Sequence, residues 1–140
     1  MEPKKLTGLR TIDPDAQERI RVAMRAQARE LEARAAELPA IRMEGEAALH
    51  RLLPIAQRDT GQSSVVARFL LNLYNGDRFP FDMTDLRRLD YEVFDDCMAV
   101  LRMDFQPLKW VHEHIENGSV IWEQMAKEWG FTDHAAISWR

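Results

Sequence analysis

The segment His112-Glu113-His114-Ile115-Glu116 poses the first question of chemistry. On a helix, His112 and Glu116 would lie one turn apart and could set an imidazole and a carboxylate on one side of a cation. Zinc takes three or four ligands, and the remaining histidines, His50 and His134, stand isolated in the sequence. The helical zinc-hydrolase signature places two His four apart with Glu between them, whereas these two are two apart and diverge. We therefore expect no metal and read the segment as a solvated helix face. Asp95-Asp96 and Asp82/Asp85 raise the question of paired carboxylates. Neighbours on a helix diverge by about 100°, so Asp95 and Asp96 cannot flank one bond. Asp82 and Asp85 suit the first turn of a helix.

Other catalytic patterns find no support. Gly61, Gly76, Gly118 and Gly130 fall where helices start or stop, which leaves no phosphate-cradling loop. The serines lie outside any nucleophile-elbow context. The single cysteine, Cys97, permits no internal disulfide, and its place on an apolar helical face assigns it to the core. No cofactor is expected, and the balance leans away from an enzyme.

Basic residues suggest a nucleic-acid contact in two places. Arg21, Arg25 and Arg29 form a one-turn ladder that could track phosphates, although Glu18 and Glu32 lie on the same side and blunt its field. Near the carboxyl terminus, Ala126, Gly130, Phe131, Thr132 and Ile137 loosely follow a helix-turn-helix rhythm similar to that of AraC-type regulators. The recognition helix would end at Arg140, its one strong cation, after about two turns, where major-groove reading needs several side chains at base edges.

These side chains must be carried by helices, since no convincing strand intervenes. Asp13 can cap the first helix, Pro14 suits its first position, and Pro39 should stop it. Met24, Ala28, Leu31, Ala35 and Leu38 are spaced 4, 3, 4, 3, a coiled-coil-like seam that needs a partner surface. A second helix is predicted from Arg42 to Leu53, broken or kinked at Pro54, and a third, starting near Ser63 or Ser64, carries Val66, Phe69, Leu70 and Leu73 and ends at Asn75-Gly76, where Gly tolerates a left-handed cap. After Phe79-Pro80-Phe81, a short helix bears Leu86 and Leu89. The next should turn Phe94, Cys97, Met98, Leu101 and Phe105 inward. Pro107 should open another, with Leu108, Val111 and Ile115 aligned and Asn117-Gly118 as its close. Ser119 should cap a last helix with Trp122, Met125, Ala126 and Trp129 on one face and a Glu123–Lys127 pair on its exterior. Trp110 aligns poorly with its neighbours and Trp139 sits beside the terminus; an aromatic stranded at a surface is a common binding anchor, with packing beneath a neighbouring helix as the alternative.

Together these elements predict an all-α, single-domain bundle of about six or seven helices. A tail (1–12) leads into a long amphipathic helix (13–39) that can project from a compact core (40–131), followed by a tail or short helix (132–140). The chain has 140 residues, 46% of them hydrophobic, enough for one real core. No run reaches the ~18 apolar residues of a membrane span, and Met1-Glu2-Pro3-Lys4-Lys5 leads into polar sequence, so we expect a cytoplasmic protein. The net charge of -4 is uneven: residues 1–58 hold eleven Lys or Arg against nine Asp or Glu (+2), and residues 59–140 hold eight against fourteen (-6).

Several strings bear a likeness beyond composition: Ala67-Arg68-Phe69-Leu70-Leu71-Asn72-Leu73-Tyr74-Asn75-Gly76, Arg78-Phe79-Pro80-Phe81-Asp82, Asp85-Leu86-Arg87, Cys97-Met98-Ala99-Val100-Leu101-Arg102-Met103-Asp104 and Ile121-Trp122-Glu123-Gln124-Met125-Ala126. From about residue 66 to 130 the chain thereby resembles an uncharacterised domain family of small proteins carried on proteobacterial plasmids and integrative mobile elements. The resemblance implies a mobile-element context and assigns no activity or residue role. The expectation is a protein that binds another protein, or itself, through Met24, Leu31, Leu38, Phe79, Phe81 and Trp110. DNA binding through Arg21, Arg25, Arg29 or Arg140 is the alternative.

Overall fold

Pro14 opens a helix because its missing N–H would be an orphan there anyway, and the Gln17 N–H donates to the Asp13 carbonyl at 2.9 Å. In the computed structural model, which describes residues 11–131 and 133, this helix, α1, runs Pro14–Ala56. It continues through both Pro39 and Pro54, so the expected stop at Pro39 does not occur and Pro54 does not end the helix. An interior proline costs a helix about 3 kcal/mol. Burial of Ala48, Leu49, Leu52, Leu53 and Ala56 around Pro54 offsets that cost, and the Ala-rich run before Pro39 has high helix propensity.

The remaining elements are α2 (Ser63–Tyr74), a 3-10 segment (Met83–Arg88), α3 (Tyr91–Phe105), a second 3-10 segment (Val111–His114) and α4 (Gly118–Trp129). The described residues are thus all-helical, with no strand, and hold fewer α-helices than the six or seven expected. The chain divides into two compact units, Met1–Glu37 and Leu38–Arg140.

Within the second unit, α2 touches α3, α4 and both 3-10 segments. Its apolar stripe behaves as the spacing predicts: Val66, Phe69 and Leu70 are buried and Leu73 half-buried. So does the α4 stripe, with Trp122 and Met125 buried and Ala126 and Trp129 half-buried. Indole donors tie the layers together, Trp122 Nε1 donating to the Leu70 carbonyl (3.1 Å) and Trp129 Nε1 to that of Ala56 (2.9 Å). A buried indole N–H left unpaired would cost what the hydrogen bond is worth and more. Gln62 and Asp90, which precede α2 and α3, exchange two hydrogen bonds: Gln62 Nε2 donates to the Asp90 carboxylate, and the Asp90 N–H donates to Gln62 Oε1, each at 3.1 Å.

Several local expectations are corrected. On α3 the buried residues are Val93, Cys97, Val100 and Met103, while Phe94 and Leu101 stand about two-fifths exposed and Phe105 is 84% exposed. The reason is close approach: a Cβ on buried Gly45 of α1 would collide with Met103 and press on the Ala99 carbonyl. The slimmer stripe of α3 is the one that admits this contact. The helix expected from Pro107 is reduced to the turn Val111–His114, with Leu108 73% exposed. Asn117, at φ 58°, does not close that helix; it precedes α4 in the left-handed conformation, and Ser119 lies inside α4 rather than capping it. Tyr74 ends α2 with Asn75 extended, so Gly76 is not the left-handed cap anticipated. Gly130 does take that conformation, at φ 62°, where α4 stops.

Candidate functional site

The aromatic-proline junction is where the chain's polar and aromatic side chains converge. Asn75 Oδ1 accepts from the Arg78 N–H (3.1 Å), and Asn72 Nδ2 donates to the Phe79 carbonyl (2.9 Å), which holds the turn against the end of α2. The Asp82 carboxylate then caps the first 3-10 segment, accepting from the Thr84 N–H (3.0 Å) and hydroxyl (2.8 Å). Those bonds hold its carboxyl below the usual carboxylate range, so it stays ionised and is not a proton donor at neutral pH.

Arg78 is the hub of the junction. Its Nη1 and Nη2 reach the two Glu123 oxygens at 2.6 and 3.0 Å, and Nε and Nη2 reach Asp133 at 3.2 and 2.8 Å. The guanidinium lies 4.8 Å from the centre of the Phe79 ring and 6.0 Å from that of Tyr74. Its hydrogen bonds to Glu123 and then to Asp133 raise its pKa further above the ordinary arginine value. Its donors are taken by two carboxylates of the protein itself, so it supplies architecture rather than a free anion site. Glu123 is thereby drawn to Arg78; among the described residues it forms no ion pair with Lys127.

Beside this hub an open cleft of about 440 Å³ is lined by Arg68, Phe79, Pro80, Phe81, Asp82, Asp85 and Phe131. The Arg68 guanidinium sits 4.1 Å above the Phe131 ring, which in turn stacks on Trp129 at 5.7 Å. The cleft offers a cation, carboxylates and aromatic faces but no nucleophile paired with a base.

The other chemically suggestive residues are placed singly. Among the described residues no three His, Cys, Asp or Glu side chains converge to hold a metal ion. His112 and Glu116 do not share a helix face, because only Val111–His114 is helical and in 3-10 geometry; the His112 ring packs edge-on against Tyr74 at 5.0 Å. His114 is half-buried, and burial, followed by the Lys109 charge, lowers its pKa, against smaller opposing effects of Glu46, Asp104 and Glu113. The Nδ1 atoms of both histidines and Arg42 Nε are buried without a hydrogen-bond partner among the described residues. Asp96 diverges from Asp95 and takes a two-pronged bond from Arg51, at 2.9 and 3.1 Å. Cys97 is fully buried, and burial followed by the Asp96 charge pushes its thiol up to about 12, far from a reactive thiolate.

The residues singled out for binding fall into three groups. Met24 (64% exposed), Leu31 (63%) and half-buried Leu38 lie on α1. Phe79 is only 3% exposed and belongs to the core rather than to an interface, since the turn folds its ring under Arg78. Phe81 is half-buried, edge-on to Phe69 at 5.8 Å. Trp110 is 62% exposed and follows exposed Phe105 and Leu108 in the chain. Tyr91 and Phe105, which sequence reasoning missed, are also exposed; Phe105 could have been found from its poor register with the Val93-Cys97-Val100 stripe. Arg21, Arg25 and Arg29 are all exposed, and Arg21 pairs with Glu18 at 3.9 Å. Arg140, Trp139, Ile137 and Thr132 lie outside the described residues. Among those residues no helix is long and apolar enough to cross a membrane.

A family model described as a family of unknown function, DUF7673, matches residues 46–130. No curated protein and no solved structure matches the chain.

Proposed function

We propose, for a chain that belongs to the DUF7673 family of unknown function, a non-enzymatic role in protein binding. The surface is the amino-terminal part of α1. One observation carries the reading: Met24 and Leu31, large apolar residues at seam spacing on a helix, remain nearly two-thirds exposed. Apolar side chains repeated at 4-3 spacing stabilise a helix when another surface covers them. The matched family segment begins at residue 46, so this surface lies outside it and can differ between members. The resemblance noted above supports a cytoplasmic accessory protein of a mobile genetic element as the setting.

The test uses the full-length chain. Affinity capture from the host of origin is run with the natural chain and with Met24→Glu/Leu31→Glu. Proteins retained by the first and lost by the second, its own untagged chain included, are expected; identical sets would remove the seam from function.

A second reading rests on Arg25 and Arg29, which are exposed and form no ion pair within 4 Å among the described residues. Such a ladder can contact DNA phosphates. Salt-dependent binding to a DNA duplex that is lost in Arg25→Glu would favour it, and no binding at low salt would end it.

A further inference from the structure

We infer that the partner of the α1 seam is a second copy of the same helix, lying antiparallel; this rests on the protein-binding reading above. Large and small side chains alternate along the seam. Written as heptads, Met24 and Leu31 occupy d positions and Ala28 and Ala35 occupy a positions. A parallel pair would stack a on a and d on d, setting Ala against Ala in one layer and Leu against Leu in the next. An antiparallel pair about a two-fold axis sets a against d. Met24 then faces the second copy's Ala35, and Leu31 faces its Ala28, with the reverse contacts following by symmetry. Each of these four central layers joins one large residue to one small one, which keeps the spacing between helices uniform and fills it, and the flanking layers set Leu38 against the second copy's Arg21.

Charge points the same way. In the antiparallel arrangement the flanking e positions face each other, and these hold Arg25 and Glu32. In that register Arg25 meets the second copy's Glu32, and Glu32 meets its Arg25. Neither residue forms an ion pair within its own chain among the described residues, whereas Arg21 is paired with Glu18 and Arg34 with Glu30. A parallel pair would instead set e against g, placing Arg25 by Ile20 and Glu32 by Gln27, with no opposite charges meeting. Size and charge therefore select one orientation independently.

The experiment is light scattering with sedimentation equilibrium on the full chain, up to millimolar concentration. The natural protein is expected to reach twice its 16.3 kDa chain mass, and Met24→Glu/Leu31→Glu to remain at one. Arg25→Glu and Glu32→Arg should each weaken the dimer by roughly tenfold, since two symmetry-related pairs turn repulsive, and the double exchange should restore it. Arg25→Glu places a Glu between Arg21 and Arg29 at i±4, which supports the helix, so weaker association could not be ascribed to unfolding. A natural chain that stays at one mass throughout overturns self-association and leaves the capture experiment to judge protein binding. A dimer indifferent to Met24→Glu/Leu31→Glu places the contact elsewhere and also overturns it. Single charge variants without effect, or a double exchange without rescue, overturn the antiparallel register.

Discussion

Arg78 and Glu123, forty-five residues apart, meet in a two-pronged ion pair at 2.6 and 3.0 Å. That pair ties the turn after α2 to the first half of α4, and Asp133 closes the remaining edge of the guanidinium. The side chain that most resembles an anion site is thereby spent on holding helices together.

Arg78→Met should destabilise the fold by about 2 kcal/mol, less than a fully buried pair would lose because Glu123 and Asp133 keep part of their hydration. Arg78→Lys should recover only a fraction, since an ammonium cannot serve two carboxylates in the guanidinium's planar geometry. Urea unfolding followed by tryptophan fluorescence measures both; equal stability of Arg78→Met and the natural chain would refute the assignment.

Gly118→Ala should be among the most damaging small substitutions. A Cβ there would run into the His112 carbonyl, which is backbone and cannot swing aside as a side chain does. A loss of about 3 kcal/mol or more is expected. Gly61→Ala, where a Cβ meets open space, is the control and should change little.

Cys97 should resist alkylation in the native protein at pH 8 and react quickly once denatured. Its thiol is buried and its pKa is pushed up to about 12, so both access and ionisation oppose reaction. Mass spectrometry after timed iodoacetamide treatment decides the matter; rapid labelling of the folded chain would contradict the core placement.

Stability should fall as pH drops below about 6.5, the ordinary histidine value. The folded His114 has a lowered pKa, so the unfolded state binds its proton first and gains from acidification. Asp104 works in the opposite sense at lower pH: burial raises its pKa, so the folded state holds the proton longer and stability falls as pH climbs through that window. His114→Gln should therefore flatten the melting temperature between pH 7.5 and 5.5; an unchanged slope would remove His114 as its cause.

Helical character, the start at Pro14, the apolar faces of α2 and α4 and the core assignment of Cys97 could be read from the residues alone, because each depends on spacing within a single element. The passage of α1 through Pro39 and Pro54 is not legible in this way, since a proline's local penalty is outweighed by propensity and by packing supplied by distant residues. Nor is the rotation of α3, which follows from Gly45 meeting Met103 across the fold. Phe79 and Phe81 look alike in the chain, yet one is buried under Arg78 and the other half-exposed at the cleft. Periodicity within each helix thus determined which side could be apolar. Tertiary contacts decided which of those side chains are covered, because burial depends on what lies opposite and a linear pattern names no opposing surface.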